Sequence, residues 1–465
     1  MTRPSTWLLA PGAAALMAAS ATGASPARKP VTARPALAPP SLRAGVPVLA
    51  TPTGDNEKPC LVARPRGGAY LAFAEREGEK TSVRFAVLRD GLHLEAPVRL
   101  STDEMDLDLG AENGPNVAVD GAGRIYVAWV AGSWKVKGAA HAGHAADTGA
   151  GARRSGPPPR PGNLNIYLSA SVDDGKTFSA PVRVNDDPDG AEHRFPTLAV
   201  GEQNTLYVAW LDKRKQTAEK SDFSRVFVAR STDGGKTFTK NVDATDGQET
   251  GICHCCRLSL VTHPRQGLFV AYRNDVHDMR DIFLAGSRNR GETFTSSRPI
   301  ESFRWMIPAC PFNGPSLAFD VPGRLHAAWM TGGSVPGAPA LGASTGATYK
   351  VMYRSLDPAS QAGGAPLFLA EGTHPRLVLG PDSAAYIAWD GGGIHLARVS
   401  DAAGSKPTQL ALVPSGRDVM FPSLTLATDG NLLVAWQRND EDGRSQIYVN
   451  RVTLGVGPDA RSARR

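Results

Sequence analysis

Ser231-Thr-Asp233-Gly-Gly235-Lys-Thr237-Phe238 is one of three copies of the same eight-residue pattern in this chain of 465 residues. The other copies cover residues 171–178 and 287–294, and the last has Asn289 in place of the Asp. In each copy the Asp or Asn side chain can accept hydrogen bonds from the backbone N–H groups that follow it, and the glycine permits a positive φ. The Thr and Phe at the end of the pattern restart an extended strand. Each copy therefore predicts a tight turn between two β-strands.

A second pattern recurs around these turns. It begins with Pro, continues with alternating apolar positions and ends in an apolar stretch closed by an aromatic residue, as from Pro196 to Trp210. Further copies cover Pro59–Phe73, Pro115–Trp129, Arg257–Tyr272, Pro315–Trp329, Pro375–Trp389 and Pro422–Trp436. Their final stretches are apolar enough for strands that are buried on both faces. The seven copies predict an all-β fold, a β-propeller with seven four-stranded blades, and six blades remain the alternative.

The two ends of the repeat region complete each other. The last unit has a third strand at Ile447–Thr453 and no fourth strand after it. Val46–Ala50, ahead of the first unit, can supply that missing outer strand. Closure by this N-terminal strand would remove the open edge that a ring of blades otherwise leaves.

The chain ends differ in composition from the body. Residues 1–24 combine a basic start, an apolar stretch and small residues, as in a cleavable secretory signal, and the stretch is too short to span a membrane. Residues 25–44 predict a Pro- and Ala-rich linker, 45–454 the propeller and 455–465 an Arg-rich tail. Residues 132–162 predict a low-complexity loop inserted in the propeller. We therefore expect a secreted or periplasmic protein without a transmembrane segment.

The net charge of +6 is concentrated outside the repeats. Five basic residues and no acidic residue precede position 45, which leaves 46 basic and 45 acidic residues for the remainder of the chain. A nearly neutral body without a basic stripe does not suit nucleic acid, so no nucleic-acid partner is expected.

The turn Ser-x-Asp-x-Gly-x-Thr-Phe resembles the Asp-box, or bacterial neuraminidase repeat, of the sialidase superfamily, and the repeats cover about residues 46–453. The resemblance implies a sialidase-like β-propeller with its site on the face opposite the Asp-boxes. The loops expected on that face carry many cations and carboxylates, which suits a glycan or another acidic small molecule as the partner.

The resemblance also implies catalytic residues. Sialidases hold the substrate carboxylate with three arginines and use a Tyr activated by Glu as the nucleophile and an Asp as the acid/base. Arg194-Phe-Pro196 resembles the Arg-Ile-Pro signature of the first arginine, and Arg273 and Arg438 match the other two by their position in the repeat. Asp187 is the candidate acid/base, within an acidic stretch (Asp186, Asp187, Asp189) that can also hold Ca²⁺. The signature falls in the third unit instead of the first, and no nucleophile Tyr is identified.

The five cysteines indicate a different chemistry. Cys60, Cys253, Cys255, Cys256 and Cys310 all lie near the beginning of a unit, and the last four belong to neighbouring units. These four are therefore expected to cluster at the mouth of the central channel. Disulfides are one possibility in a secreted protein. The other is a soft-metal site for copper or zinc, formed by the four cysteines with His254.

Two functions follow from these observations. The first is a secreted sialidase-like propeller that binds or hydrolyses an acidic or polyhydroxylated glycan, in the manner of an exo-acting glycoside hydrolase. The alternative is a non-catalytic scaffold of the cell envelope with a Cys-rich copper or zinc site. A Tyr–Glu pair facing three arginines would distinguish the enzyme from the scaffold.

Overall fold

The computed structural model describes residues 41–455, apart from residues 52, 79, 104, 111, 134–162, 189, 217–223, 248–250, 336–348, 401–405 and 417. The expected signal segment, most of the linker, most of the 132–162 insert and the C-terminal tail lie outside the described residues. Asp189 of the acidic stretch also lies outside them.

The described residues form thirty β-strands and one 3-10 turn at Glu202–Asn204. No helix among them is long and apolar enough to cross a membrane. In chain order the strands are β1 (Ser41–Ala44), β2 (Val48–Leu49), β3 (Asp55–Ala63), β4 (Ala69–Glu77), β5 (Lys80–Leu88), β6 (Val98–Arg99), β7 (Asn116–Val119), β8 (Ile125–Ser133), β9 (Asn163–Ser171), β10 (Val182–Arg183), β11 (His193–Val200), β12 (Leu206–Asp212), β13 (Arg225–Ser231), β14 (Val242–Asp243), β15 (Gly251–Ile252), β16 (Ser259–His263), β17 (Gly267–Asp275), β18 (Ile282–Ser287), β19 (Arg298–Glu301), β20 (Ser316–Phe319), β21 (Leu325–Thr331), β22 (Lys350–Leu356), β23 (Leu367–Glu371), β24 (Thr373–Leu379), β25 (Ala385–Asp390), β26 (Ile394–Val399), β27 (Thr408–Val413), β28 (Val419–Leu426), β29 (Leu432–Asn439) and β30 (Ser445–Gly455).

These strands make seven separate antiparallel sheets, which are the blades of a propeller. From the inner strand outward the blades are β3–β6, β7–β10, β11–β14, β16–β19, β20–β23, β24–β27 and β28–β30. The seven-blade prediction is confirmed, and the six-blade alternative is wrong because every one of the seven repeat units forms its own sheet.

The hydrophobic core lies between neighbouring blades. The second strand of each blade is buried on both faces, and all seven residues of β12 are buried. Trp210 from the third blade packs in one cluster with Tyr126 from the second, and both are fully buried. Apolar residues are needed on both faces because each blade is covered by a neighbour on either side.

Both ends of the propeller meet in the seventh blade. β1 pairs with β30 from Ser41 opposite Gly455 to Ala44 opposite Val452, and β2 pairs Val48 with Val449. The expected pairing of Val46–Ala50 with Ile447–Thr453 is therefore confirmed at β2. The closure begins earlier than expected, since β1 lies within the segment assigned to the linker.

The three Asp-box turns connect the third strand of a blade to its outer strand. In the turn of the third blade, Thr237 donates to Asp233 through its backbone N–H (3.0 Å) and its hydroxyl (2.6 Å). Gly235 has a φ of 82° and donates its N–H to the Ser231 hydroxyl. Asn289 fills the same place in its copy, with its amide donating to Thr293 at 2.9 Å. All these bonds are internal to the turn, so the pattern is explained by local structure.

Strand direction assigns the two faces of the ring. Because successive strands of a blade are antiparallel, inner strands begin on the face opposite the Asp-box turns. The loops between second and third strands lie on that same face.

Removal of residues 1–50 should destabilise the ring, because it deletes β1 and β2 and exposes one edge of β30. Leu42 and Ala50 pack into two different core clusters, so we expect a loss of about 2–4 kcal/mol, measured as a lower denaturant midpoint. A chain that lacks only residues 1–40 keeps both strands and should unfold like the full chain. An equal midpoint for the two truncations would contradict closure by these strands.

Candidate functional site

Four of the seven inner strands, β3, β11, β24 and β28, begin with a bulge at an X-Pro pair. In β11 the pairing shifts between Arg194 and Thr197, and Phe195 has a φ of 57°. Lys58 (58°), His374 (51°) and Phe421 (54°) also precede a proline with positive φ. A bulge removes backbone groups from the ladder, so their partners must be supplied elsewhere.

Neighbouring blades supply those partners. The N–H of Lys58 donates to Gln437 at 3.2 Å, and the N–H of Phe421 donates to Asp390 at 2.9 Å. The N–H of Phe195 donates to Asn113 at 2.7 Å. The bulges at Lys58, Phe195 and Phe421 are thus held by side chains from outside their own blades.

The starts of the seven inner strands surround a polar cavity of about 220 Å³ on the ring axis. Every blade contributes at least one residue to its wall. Its charged residues are three cations and one carboxylate: Lys58, Arg257, Arg376 and Glu112. Its polar residues include Asn116, Thr197, Ser259, Ser316 and Ser423.

Glu112 is fully buried and is bound from several blades. Arg257 donates its Nε–H to one carboxylate oxygen at 2.9 Å, and the N–H of Gly314 donates to the other at 3.0 Å. Arg376 lies 3.6 Å from the first oxygen. Burial alone would raise the pKa of Glu112, but the charges of Arg257, His374 and Arg376 hold it below its ordinary value. Glu112 is therefore an ionised structural contact at the axis.

Lys58 is the cation of the cavity without a carboxylate in contact. Its ammonium lies 3.6 Å above the ring of Phe421, which is a cation–π contact. Burial lowers the pKa of Lys58 to about 8, against the opposing effect of Glu57 and Glu112. A bound anion would therefore stabilise the charged form of this side chain.

The structure places the three arginines expected to bind a carboxylate in different surroundings. Arg194 lies 3.3 Å from Asp108 and 3.6 Å from Glu192. Arg438 is half-exposed and pairs with Asp418 at 2.7 Å. Neither lines the axial cavity.

Arg273 is buried, and its guanidinium donates to the backbone carbonyls of Asn313, Arg280 and Met330. Ala271 and Ala435 occupy equivalent positions in their blades, paired with Ser259 and Ser423 of the inner strands. Arg273 lies two residues after Ala271, whereas Arg438 lies three residues after Ala435. An offset of one residue puts the two side chains on opposite faces of their strands. A carboxylate clamp by Arg194, Arg273 and Arg438 stays a prediction.

Asp187 belongs to a buried ion network in the third blade. It lies 3.0 Å from His193 Nε2 and 3.1 Å from Arg214, and Asp212 contacts the same two residues. Although burial raises the pKa of Asp187, the hydrogen bond to His193 and nearby charges lower it to about 2. Asp187 is thus ionised at neutral pH, and the adjacent Asp186 pairs with Arg214 at 2.6 Å. Its role as acid/base or Ca²⁺ ligand stays a prediction.

The structure brings the expected cysteines together. The sulfur of Cys253 lies 3.3 Å from that of Cys255 and 3.5 Å from that of Cys256, and the last two are 3.9 Å apart. Cys310 lies beside them, with its sulfur 3.8 Å from His254 Nε2. All five cysteines are free thiols in this structure, and Cys60 lines the axial cavity instead.

The cysteines occupy a widened bulge. The inner strand of the fourth blade is interrupted between β15 and β16, where residues 253–258 lie opposite only two residues of β17. Hydrogen bonds from Cys255 and Cys256 lower the pKa of Cys253 well below its ordinary value, and burial raises the pKa of Cys256. Because these residues can form a metal centre, the bulge is a second candidate site next to the cavity.

Sequence reasoning missed the carboxylate of the cavity. Lys58 and Phe421 carry a usable signal, since each is the residue before the Pro that opens a repeat unit. Glu112 carries none, because its partners Arg257 and Gly314 are 145 and 202 residues away along the chain.

Comparisons with known proteins give information on the fold of this chain. No family matches the sequence, and no curated protein does. A protein of unknown function from Dyadobacter fermentans is similar in structure, with a TM-score of 0.52 and 12% identity over 89% of this chain and 99% of that one. The polysaccharide lyase Uly1 has a TM-score of 0.51 and 10% identity, over 87% and 90% of the two chains. The leech intramolecular trans-sialidase has a TM-score of 0.49 and 13% identity, over 86% and 68%. At these identities the likeness is one of fold alone.

Replacement of Glu112 by Gln should destabilise the protein, because it leaves Arg257 buried without a counter-charge. We expect a loss of about 3–5 kcal/mol in denaturant unfolding. Glu292→Gln, which removes a half-exposed pair with Arg230, should cost less than about 1 kcal/mol. Equal losses would show that Glu112 does not hold the blades together.

The His193 network should make stability depend on pH. Burial opposes the charge of His193, but Asp187 and Asp212 raise its pKa from 6.5 to about 9. Because the folded-state pKa is the higher one, this contribution is fully present below pH 6.5 and is lost as the pH rises through 9. It is on the order of 3 kcal/mol. The free energy of unfolding, measured from pH 6 to 9.5, should show this fall. His193→Gln should abolish the fall, and His93→Gln, at an exposed position, should not change it. If stability still falls with pH in His193→Gln, other groups cause the fall.

Proposed function

We propose that the protein binds an acidic carbohydrate in the axial cavity, with the ligand carboxylate held by Lys58 and Arg376. One observation carries the proposal: three cations line a polar cavity whose single described carboxylate is already bound by protein groups. Such a cavity has a positive surplus that an anionic ligand would balance.

The two arginines of the cavity have different tasks. Arg257 donates from all three of its guanidinium nitrogens, to Glu112 and to the carbonyls of Pro315 and Pro375. It therefore supports the wall. Arg376 has a side chain that is 26% exposed and lies only loosely against Glu112, so it can turn a donor toward a ligand.

Three serine hydroxyls suit the sugar part of the ligand. Ser423, Ser316 and Ser259 accept a backbone N–H from Leu61, Leu377 and Leu317, at 2.8, 2.9 and 3.0 Å. A hydroxyl that accepts in this way keeps its own O–H for donation. The cavity volume of about 220 Å³ is that of a site for one sugar ring.

Binding without hydrolysis is the function that these residues support. Glycoside hydrolysis needs a second carboxylate, or a Tyr nucleophile with its Glu. The described lining residues include Glu112 alone as an acid and no tyrosine. The likeness to a polysaccharide lyase is one of fold and agrees with a carbohydrate ligand.

Calorimetric titration with glucuronate, N-acetylneuraminate and neutral glucose tests the proposal. The two acids should bind at pH 7 and glucose should not. Lys58→Met should weaken binding by roughly 10–100-fold, as for loss of a charged hydrogen bond. Lys240→Met removes the same charge from an exposed position near an Asp-box and should leave binding unchanged.

The affinity should also fall as the pH rises through about 8, because Lys58 then loses its charge. Glu57, Glu112 and Arg76 are the charged groups that act on Lys58, and the fall should be absent in Lys58→Met. Equal binding of glucose, or unchanged binding in Lys58→Met, would overturn the proposal. Turnover of a fluorogenic sialoside would show an enzyme instead of a binding protein.

A further inference from the structure

We infer that Cys253, Cys255 and Cys256 bind one Cu(I) ion in a three-thiolate site beside the ring axis. The site does not depend on the acidic-carbohydrate ligand proposed above. It rests on the spacing of the sulfurs, on the cations around them and on the position of Cys310.

The sulfurs lie near the spacing of metal ligands, and two of the three pairs would separate slightly around a shared ion. Their separations are 3.3, 3.5 and 3.9 Å. Ligands at about 2.3 Å from a shared ion lie about 3.8–4.0 Å apart in tetrahedral or trigonal geometry, whereas a disulfide bond is about 2.05 Å long. The three side chains are only 1–3% exposed, so the ion would be bound away from water.

The inner strand of the fourth blade is widened in a way that makes room for this site. In the third blade two residues, Phe195 and Pro196, form the bulge at the start of the inner strand. In the fourth blade residues 253–258 form it, and they contain all three thiols. The end of this segment lies at the ring axis, where Arg257 binds Glu112. The rest of the segment brings three thiols together, which indicates a binding element.

Buried thiolates need compensating charge, and the surroundings supply it. Arg280 donates to the Cys253 sulfur at 3.1 Å, and the N–H of Asn313 donates to the Cys256 sulfur at 3.4 Å. Arg257 directly follows Cys256, and Arg273 lies on the strand opposite the bulge. Three thiolates with one monovalent ion carry a charge of −2, which Arg280 and Arg273 partly offset, since Arg257 already binds Glu112 and Arg280 also pairs with Asp275 at 3.0 Å.

The geometry favours copper over zinc. Structural zinc is almost always four-coordinate, and thiolates also select Cu(I). The three cysteines form a set in which all sulfurs lie within 4.8 Å of one another, and Cys310 is not a member of that set. Cys310 contacts Cys255 without lying that close to all three sulfurs, so three soft ligands are grouped and the fourth sulfur lies at their edge.

Cys310 is placed for delivery of the ion. It is part-exposed, beside the buried set and next to His254. The same loop carries Met306, whose soft thioether is on a side chain that is 61% exposed. A cuprous ion can pass from the solvent side to the buried thiolates through these two sulfurs.

The full chain tests this inference under anaerobic conditions with reductant. Cu(I) is titrated in competition with a chromophoric cuprous chelator, and we expect one tightly bound ion per chain. X-ray absorption at the copper edge should show three sulfur neighbours at about 2.3 Å. Cys255→Ser should weaken binding by more than roughly 100-fold, since loss of a ligand exceeds the effect of losing a ligand's partner. His93→Gln, at an exposed position outside both candidate sites, should bind like the unaltered chain.

Further measurements keep the test decisive if Cys255→Ser does not fold. Cys310→Ser should retain one ion per chain and take it up more slowly. Thiol titration of the unfolded chain, purified without reductant, should find five thiols. One free thiol, four sulfur neighbours around the metal, or binding of Zn²⁺ in preference to Cu(I) would each overturn the inference. Loss of Cu(I) binding with unchanged glucuronate binding in Cys255→Ser would show that the two sites are independent.

Discussion

A single buried carboxylate at the axis holds the inner ends of several blades in register. Glu112 precedes the second blade and is bound by Arg257 of the fourth, by Gly314 ahead of the fifth and by Arg376 of the sixth. A buried ion contact of this kind is stable only when every partner is in place. The position of each partner strand, and hence the shape of the cavity, follows from this one group.

The same constraint explains why the two candidate sites adjoin. Arg257 reaches the axis because it follows Cys256 at the end of the widened bulge. Its guanidinium binds Glu112, while its backbone continues the segment that carries the thiols. A polar wall for an anionic ligand and a set of buried thiols thus share one short piece of chain. A change in the length of that bulge would disturb both.

The blades were predictable from the sequence because their signals are local. Two-residue alternation gives the strands, and in the Asp-box the Ser and Asp or Asn side chains that shape the turn bond within the same eight residues. The cysteine cluster could be predicted from the position of each cysteine within its repeat unit. Position in the repeat does not give the direction of the Arg273 and Arg438 side chains, because a difference of one residue reverses the face of a strand, and their role as a carboxylate clamp stays a prediction. Glu112 was beyond sequence reasoning, since its partners are brought together only by closure of the ring.

Closure through β1, β2 and β30 also orders the events of folding. The first strand lies about four hundred residues ahead of its partner, so this pairing has the largest sequence separation in the molecule. During synthesis the six earlier blades can form while β30 does not yet exist. Until then the edge of the first blade and the unpaired N-terminal strands are open to other chains. The chain is thus most exposed to misassembly just before its last strand is complete, and the ring becomes one cooperative unit only at that step.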